Sequence, residues 1–151
     1  MEENVRKIVL LVEDVPEEQT LAKAALTTQG FKVAVAGNLQ DALRIWKELG
    51  ESISGIATDL HFPERSNEEG ELFSDQSKPC GIAIVAEAAR LALPVVVCSD
   101  IDHHFAGYLK VVVVALASFH PLKKIPFIMD GKNWERAAKE LTELIELQKE
   151  I

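Results

Sequence analysis

Five short and mainly apolar stretches are the feature of this sequence that most restricts its fold. They are KIVLLV (7–12), FKVAVA (31–36), ISGIATDL (53–60), PVVVCS (94–99) and IPFIM (125–129). Short apolar runs of this kind are typical of strands buried on both faces of a parallel sheet. Segments with helical spacing of apolar residues separate them. The chain therefore predicts a βαβαβαβαβα order, with helices covering both faces of one parallel sheet.

The helices are predicted from their boundary residues and from their apolar stripes. A proline suits a first helical turn, asparagine suits the capping position before a helix, and glycine suits its end. The predicted spans are Pro16 to Gly30, Asn38 to Gly50, GIAIVAEAARLA (81–92), a mainly helical DHHFAGYLKVVVVALASF (102–119), and a last helix capped by Asn133.

The length of 151 residues, with 48% hydrophobic and 26% charged residues, predicts one globular domain over residues 1–151. No internal repeat or linker divides the sequence. One segment, ERSNEEGELFSDQSKP (64–79), is polar and acidic and lengthens the connection after the third strand far beyond the usual few residues. We expect this insertion to be disordered, to act as a lid, or to contact a partner.

Charge and apolar patterning exclude several classes of protein. The net charge of −8 opposes nonspecific binding to a phosphate backbone, so we expect no nucleic-acid partner. The N-terminus is charged and lacks an apolar signal core, and the longest apolar run, VVVVALA (111–117), is too short to span a bilayer. Cys80 and Cys98 show no CxxC spacing. These features favour a cytoplasmic, reduced protein without membrane contact.

Acidic side chains follow two of the predicted strands. Glu13 and Asp14 come directly after the first strand, and Asp59 lies at the end of the third. Ligands of doubly wound sheets bind at the carboxyl ends of the strands. If the first and third strands are neighbours, the three carboxylates meet and repel one another unless a cation or shared protons intervene. A hard divalent cation with oxygen ligands, above all Mg²⁺, is the natural partner.

The segments IVLLVED, TDLHFPE and PVVVCS, in this order, resemble the receiver domain of two-component response regulators. The resemblance covers almost the whole chain, with 64–79 as an insertion. It implies an α/β, flavodoxin-like doubly wound (βα)5 fold whose five-stranded parallel sheet has the order 2-1-3-4-5. It also implies a Mg²⁺ site formed by Glu13, Asp14, Asp59 and the backbone carbonyl of His61.

The same resemblance implies a signalling function. Asp59 would accept a phosphoryl group from a histidine kinase or phosphotransfer protein, and Ser99 would contact a phosphoryl oxygen. Phe127 matches the aromatic switch position in the fifth strand. The output would pass to a downstream protein through the fourth helix, the fifth strand and the fifth helix. Because the last predicted helix reaches the end of the sequence, we expect a stand-alone receiver.

One position departs from the family pattern. Receiver domains carry a lysine at the end of the fifth strand, and alignment on Phe127 puts Asp130 there. Lys132 lies two residues further on and Lys124 precedes the strand, so either lysine is a candidate cation. The missing lysine leaves a second interpretation open, in which the chain is a pseudo-receiver, a protein-binding module that is not phosphorylated.

An enzymatic function is the third interpretation, and the residues disfavour it. A haloacid-dehalogenase-type phosphatase needs a second acid two residues after its nucleophile, and His61 stands at that position after Asp59. No GxGxxG follows the first strand, so dinucleotide binding is not expected either. We therefore expect a protein that is not an enzyme.

Two further motifs have alternative interpretations. SDIDHH (99–104) offers histidines and acids, but adjacent histidines on a helix point in different directions, which favours a solvent-facing helix cap over a transition-metal site. The valine run 111–114 is apolar on every side. It predicts either a buried helix or a subunit contact, and hence a homodimer through the fourth helix.

Overall fold

The computed structural model describes residues 8–65, 78–99, 105–129 and 131–151. Within these ranges five strands alternate with five helices. In chain order they are β1 (Ile8–Val12), α1 (Pro16–Thr28), β2 (Lys32–Ala36), α2 (Leu39–Leu49), β3 (Ile53–Thr58), α3 (Gly81–Leu91), β4 (Val95–Cys98), α4 (Phe105–Ala117), β5 (Phe127–Ile128) and α5 (Trp134–Lys149). The strands form one parallel sheet in the order β2-β1-β3-β4-β5. The predicted fold class and strand order are confirmed.

Helices cover both faces of the sheet. Successive residues of a strand point to opposite faces. Leu10 and Val12 of β1 accordingly join the core formed with α2, α3 and α4, whereas Val9 and Leu11 join the core formed with α1 and α5. All four side chains are fully buried. The strands are mainly apolar because helices cover both faces of the sheet, and the edge strand β2, which begins with the exposed Lys32, is the least buried of them.

The helix boundaries follow the predicted caps. Pro16 opens α1, and the side chains of Asn38 and Asn133 accept hydrogen bonds from the first turns of α2 and α5. Gly30, just after α1, has a φ of 97°, a left-handed conformation that favours glycine. These short polar and glycine signals are local, which is why they can be recognised without knowledge of the tertiary structure.

The fifth strand is shorter than predicted. It spans two residues rather than 125–129, since Pro126 has no N–H to donate to the sheet. Its carbonyl still accepts a hydrogen bond from the N–H of Val97 at 2.9 Å. The described part of α4 likewise begins at Phe105. Residues 100–104 lie outside the described ranges, and with them most of the predicted SDIDHH cap.

The valine run of α4 is neither wholly buried nor wholly exposed. Val113 is fully buried in the core, and Val112 is half-buried. Val111 and Val114 are exposed. Because successive residues of an α-helix are about 100° apart, only one side of four consecutive valines can face the sheet. Among the described helices, none combines the length and the hydropathy needed to cross a bilayer.

The two ends of the predicted insertion are joined. Phe62 and Pro79 form an isolated parallel bridge, and the Phe62 N–H donates to the carbonyl of Lys78 at 3.2 Å. The Lys78 ammonium lies 3.0 Å from a carboxylate oxygen of Glu64. Residues 66–77 lie outside the described ranges. These contacts form a closed stem at residues 62–64 and 78–79, beside the end of β3.

His120 ties the α4–β5 connection to the α3–β4 turn. Its ring is almost fully buried, with Nδ1 accepting a hydrogen bond from the Leu122 N–H at 3.1 Å. Its Nε2 lies 2.6 Å from the carbonyl oxygen of Leu93, so Nε2 carries the proton and donates. Both ring nitrogens are therefore satisfied in the neutral imidazole.

Replacing His120 with alanine should lower the free energy of unfolding by about 2 kcal/mol, because two buried backbone groups lose their partner. Asparagine keeps an acceptor near the Leu122 N–H, and glutamine keeps a donor that can reach Leu93. Both variants should therefore be more stable than alanine in urea denaturation. An alanine variant within about 0.5 kcal/mol of the parent would contradict this role.

Candidate functional site

Three carboxylates converge at the carboxyl edge of the sheet. Val12 of β1 pairs with Thr58 of β3, so Glu13 and Asp59 leave the two strands side by side. The Asp59 N–H donates to the carbonyl of Val12 at 2.9 Å. One carboxylate oxygen each from Glu13, Asp14 and Asp59 lies within 4.8 Å of the others. The sequence prediction brought these three residues together, and so does the structure.

Lys132 is the cation that contacts this cluster. Its ammonium lies 2.8 Å from Oε1 of Glu13 and 3.1 Å from Oδ2 of Asp59. The alternation of side chains along β1 and β3 explains why Lys132 can reach both acids. Leu11 and Ala57 face the α1/α5 core, and Glu13 and Asp59 follow two residues later, towards the start of α5. Lys132 lies two residues before Trp134, where α5 begins.

The second candidate lysine, Lys124, lies elsewhere. It is exposed and precedes β5, so it is at the amino end of that strand. The acid cluster is at the carboxyl ends of the strands. Between the two candidates, only Lys132 is placed against the acids. Asp130 lies outside the described residues, so the effect of an acid at the position of the family lysine stays a prediction.

Each carboxylate oxygen of Glu13 and Asp59 has a donor. Oε2 of Glu13 accepts from the Val15 N–H at 2.9 Å, and Oδ1 of Asp59 accepts from the Leu60 N–H at 2.6 Å. Lys132 supplies the donor for the remaining oxygen of each. Both carboxylates are almost completely buried, which makes these charge-assisted bonds necessary for their ionised forms.

Burial nevertheless raises the pKa of both carboxyl groups. Burial, followed by repulsion from Asp59, raises the pKa of Glu13 to about 7, although Lys132 opposes the shift. Burial raises the pKa of Asp59 to about 6, with Lys132 and the Leu60 N–H acting in the opposite direction. Burial alone would lower the pKa of Lys132, but its bond to Glu13 and the charge of Asp59 outweigh burial and raise it.

The donor set fits a hard divalent cation. Three carboxylates and one ammonium leave an excess of negative charge when all are ionised, and oxygen is the ligand atom that Mg²⁺ prefers. Glu13, Asp14 and Asp59 would hold the ion. His61, predicted to add its backbone carbonyl, follows Asp59 by two residues and is half-buried.

The other predicted site residues lie on neighbouring strands. Ser99 follows β4 at the same carboxyl edge, is fully buried, and donates its N–H to the carbonyl of Ile128 at 2.8 Å. Phe127 lies in β5, is half-buried, and packs against the core beneath α2, α3 and α4. The phosphoryl contact predicted for Ser99 and the switch role predicted for Phe127 stay predictions.

Two supporting residues were missed from the sequence. The side-chain amide of Gln19 donates to the carbonyl of Glu13 at 2.6 Å and so fixes the backbone of the acid pair. Gly81 begins α3 against the backbone of Asp59: a Cβ there would collide with the Asp59 carbonyl and lie 2.8 Å from Cα of Leu60. A glycine at the start of a helical pattern was a usable signal for close packing, whereas nothing in the sequence distinguished Gln19.

The raised acid pKa values predict a pH-dependent stability. In the unfolded chain both acids titrate at about pH 4. Between about pH 4 and 7 the folded state holds more protons, so the free energy of unfolding of metal-free protein should fall by several kcal/mol as pH rises, at about 1.4 kcal/mol for each unit of pKa shift. Urea denaturation at several pH values in this window would measure it. A Glu13→Gln variant should have a smaller slope, and an equal slope would contradict the assignment.

Comparison with solved structures identifies proteins of similar architecture. A response regulator receiver domain protein from Clostridium thermocellum has a TM-score of 0.67 and 18% identity, over 95% of this chain and 97% of that chain. A CheY-like receiver domain protein from Methanospirillum hungatei JF-1 has a TM-score of 0.61 and 16% identity, over 96% and 98%. A response regulator from Thermotoga maritima has a TM-score of 0.63 and 17% identity, over 93% and 98%.

No protein-family model and no curated protein matches the sequence. Identities of 16 to 18% show the fold rather than the activity. The likeness nevertheless extends over nearly the full length of each chain, and the strand order agrees with the sequence-based expectation. The chain has the fold of the receiver domains of response regulators.

Proposed function

We propose that this protein is a receiver of two-component signalling that accepts a phosphoryl group on Asp59 with the help of Mg²⁺. The observation that carries the proposal is the cluster of Glu13, Asp14 and Asp59, in contact with Lys132, at the carboxyl edge of a receiver fold. Three ionised acids within 4.8 Å of one another repel, and a bound divalent cation would relieve the repulsion that Lys132 offsets only in part.

The proposed step is the transfer of a phosphoryl group from a histidine kinase or phosphotransfer protein. An Asp59 oxygen forms a bond to phosphorus while the bond from phosphorus to the donor nitrogen breaks, and the donor imidazole leaves. Bound Mg²⁺ would offset the charge of the phosphoryl oxygens. Lys132, already 3.1 Å from Asp59, is the candidate for pairing with one of those oxygens, and Ser99 for a hydrogen bond to another.

We further propose a signalling rather than an enzymatic role, in the cytoplasm, with a downstream protein as the target. Nothing in the acid cluster supplies the second acid of a haloacid-dehalogenase-type phosphatase, because His61 occupies that sequence position. The pseudo-receiver alternative uses the same fold without phosphorylation, and phosphorylation assays separate the two.

Incubation with acetyl phosphate and Mg²⁺ should add one phosphoryl group, detected as an increase in intact mass. Asp59→Asn should abolish the gain because the nucleophile is lost. Lys132→Ala should slow it on the order of tenfold to a hundredfold, since a cation near the developing charge is removed. The matched control is Lys124→Ala, which removes an exposed lysine far from the acids and should leave the rate unchanged.

Two results would contradict the proposal. The wild-type protein could fail to gain mass and also show no spectral change with beryllofluoride, in which case the pseudo-receiver alternative is correct. Asp59→Asn could gain mass as fast as wild type, in which case another residue accepts the group.

An apolar surface on α4, extended by Phe119 just after the helix, supports self-association. Tyr108, Val111, Val114 and Phe119 are 62 to 75% exposed, although all four are large and apolar. Lys110 is the one charged residue in the sequence of α4. Two chains that each carry a net charge of −8 repel, so a nearly uncharged face is where two copies can approach most easily. We therefore propose a homodimer through α4.

Val111→Glu should shift the protein towards monomer, because the dimer would have to bury two additional like charges. Sedimentation velocity over a wide concentration range measures the change. Leu147→Glu is the matched control, as Leu147 is also exposed and apolar but lies in α5. A wild-type protein that stays monomeric at every concentration, or equal effects of both substitutions, would contradict dimerisation through α4.

A further inference from the structure

The Lys132 ammonium occupies the space between two of the acids that would bind the metal. It contacts Glu13 at 2.8 Å and Asp59 at 3.1 Å, and both belong to the cluster whose oxygens lie within 4.8 Å of one another. The Lys132 side chain is 8% exposed. A divalent ion and an ammonium cannot both hold the same pair of carboxylate oxygens, since they repel each other and need the same lone pairs.

The backbone at Lys132 adopts an unusual conformation. Gly131 and Lys132 have φ values of 69° and 53°, so two successive residues are left-handed. Glycine adopts this conformation readily, whereas lysine does so at a cost in free energy. The turn directs the Lys132 side chain back towards the acids. Strain of this kind persists where surrounding contacts hold it, here the ion pairs with Glu13 and Asp59.

The residues that follow fix the base of this side chain. Asn133 accepts a hydrogen bond from the Arg136 N–H and caps α5. Trp134 is buried, and its Nε1 donates to a carboxylate oxygen of Glu18 in α1 at 2.8 Å. The backbone at the start of α5 is thereby held to α1, while four side-chain bonds of Lys132 remain able to rotate.

Lys132 also lines a groove between α1 and α5. The groove has a volume of about 450 Å³. Leu21, Ala24 and Ala25 of α1 form one wall, and Lys132 and Trp134 lie on the other. The lysine stem thus separates the acid cluster from an open groove. An ammonium expelled from the cluster has this groove to enter, where it regains water.

We propose that Lys132 is a tethered cation that competes with the divalent metal for Glu13 and Asp59. It is displaced into the α1/α5 groove when the metal binds, and it returns when a phosphoryl group at Asp59 offers it a new anionic partner. This inference rests on the proposed metal site. If Lys132 competes with the metal, the metal affinity depends on the lysine as well as on the acids. The surface between α1 and α5 then also depends on whether metal is bound.

Amine labelling of the wild-type protein tests the displacement directly. The protein is treated with an acetylating reagent at pH 8, without a phosphodonor, and modification of each lysine is quantified by peptide mass spectrometry during a titration with Mg²⁺. Lys132 should react slowly without metal and several-fold faster with it, with a midpoint that matches the dissociation constant from calorimetry. Lys124, exposed and remote from the acids, should react at the same rate throughout.

A variant provides the second measurement. Lys132→Gln should bind Mg²⁺ about tenfold more tightly than wild type, because the competing charge is gone. The control Lys139→Gln removes a lysine of the same groove for which the described structure shows no contact with the acids, and it should leave the affinity unchanged. Lys132→Gln should therefore bind Mg²⁺ more tightly and yet be phosphorylated more slowly than wild type. A misfolded variant would not show this combination, because it would lose metal binding as well.

The outcomes separate this inference from the proposed function. If Mg²⁺ binds but Lys132 labelling does not rise, or Lys132→Gln binds no more tightly, the tethered-cation inference is wrong and the metal site stands. If Mg²⁺ binds to neither protein, both the inference and the proposed metal site are wrong.

Discussion

The repulsion between two buried carboxylates is the constraint on which the carboxyl edge of this sheet depends. Glu13 and Asp59 lie side by side because β1 and β3 are neighbours in register. Water is largely excluded from both, so their charges must be compensated by protein groups, protons or a metal. The ammonium of Lys132 and the N–H groups of Val15 and Leu60 provide part of that compensation.

The fold followed from the sequence because its signals are local or periodic. Mainly apolar runs identified strands with two covered faces, and Pro16, Asn38 and Asn133 marked helix starts that the structure confirms. The predicted β5 was too long because apolar composition alone ignores the missing N–H of Pro126. Boundary errors of this kind arise from hydrogen bonding, which hydrophobic patterning does not encode.

The sequence was sufficient to predict the acids of the candidate site, but not to decide which lysine contacts them. Glu13, Asp14 and Asp59 each follow a strand, so the topology alone brings them together. Lys132 reaches Glu13 across 119 positions of sequence, from a left-handed turn two residues past the expected position. Two candidate lysines therefore remained open in the sequence. The strand alternation that turns both acids towards α5 was a signal that could have distinguished Lys132 from Lys124.

The closed stem beside β3 has a consequence for how this sequence can diversify. The bridge between Phe62 and Pro79 holds the two ends of the long connection together. The entropy of closing a loop grows only with the logarithm of its length, so insertions and deletions between such anchors change stability little. Related chains can then differ widely in length here while Asp59 keeps its place, which makes this connection a site where new recognition elements can evolve.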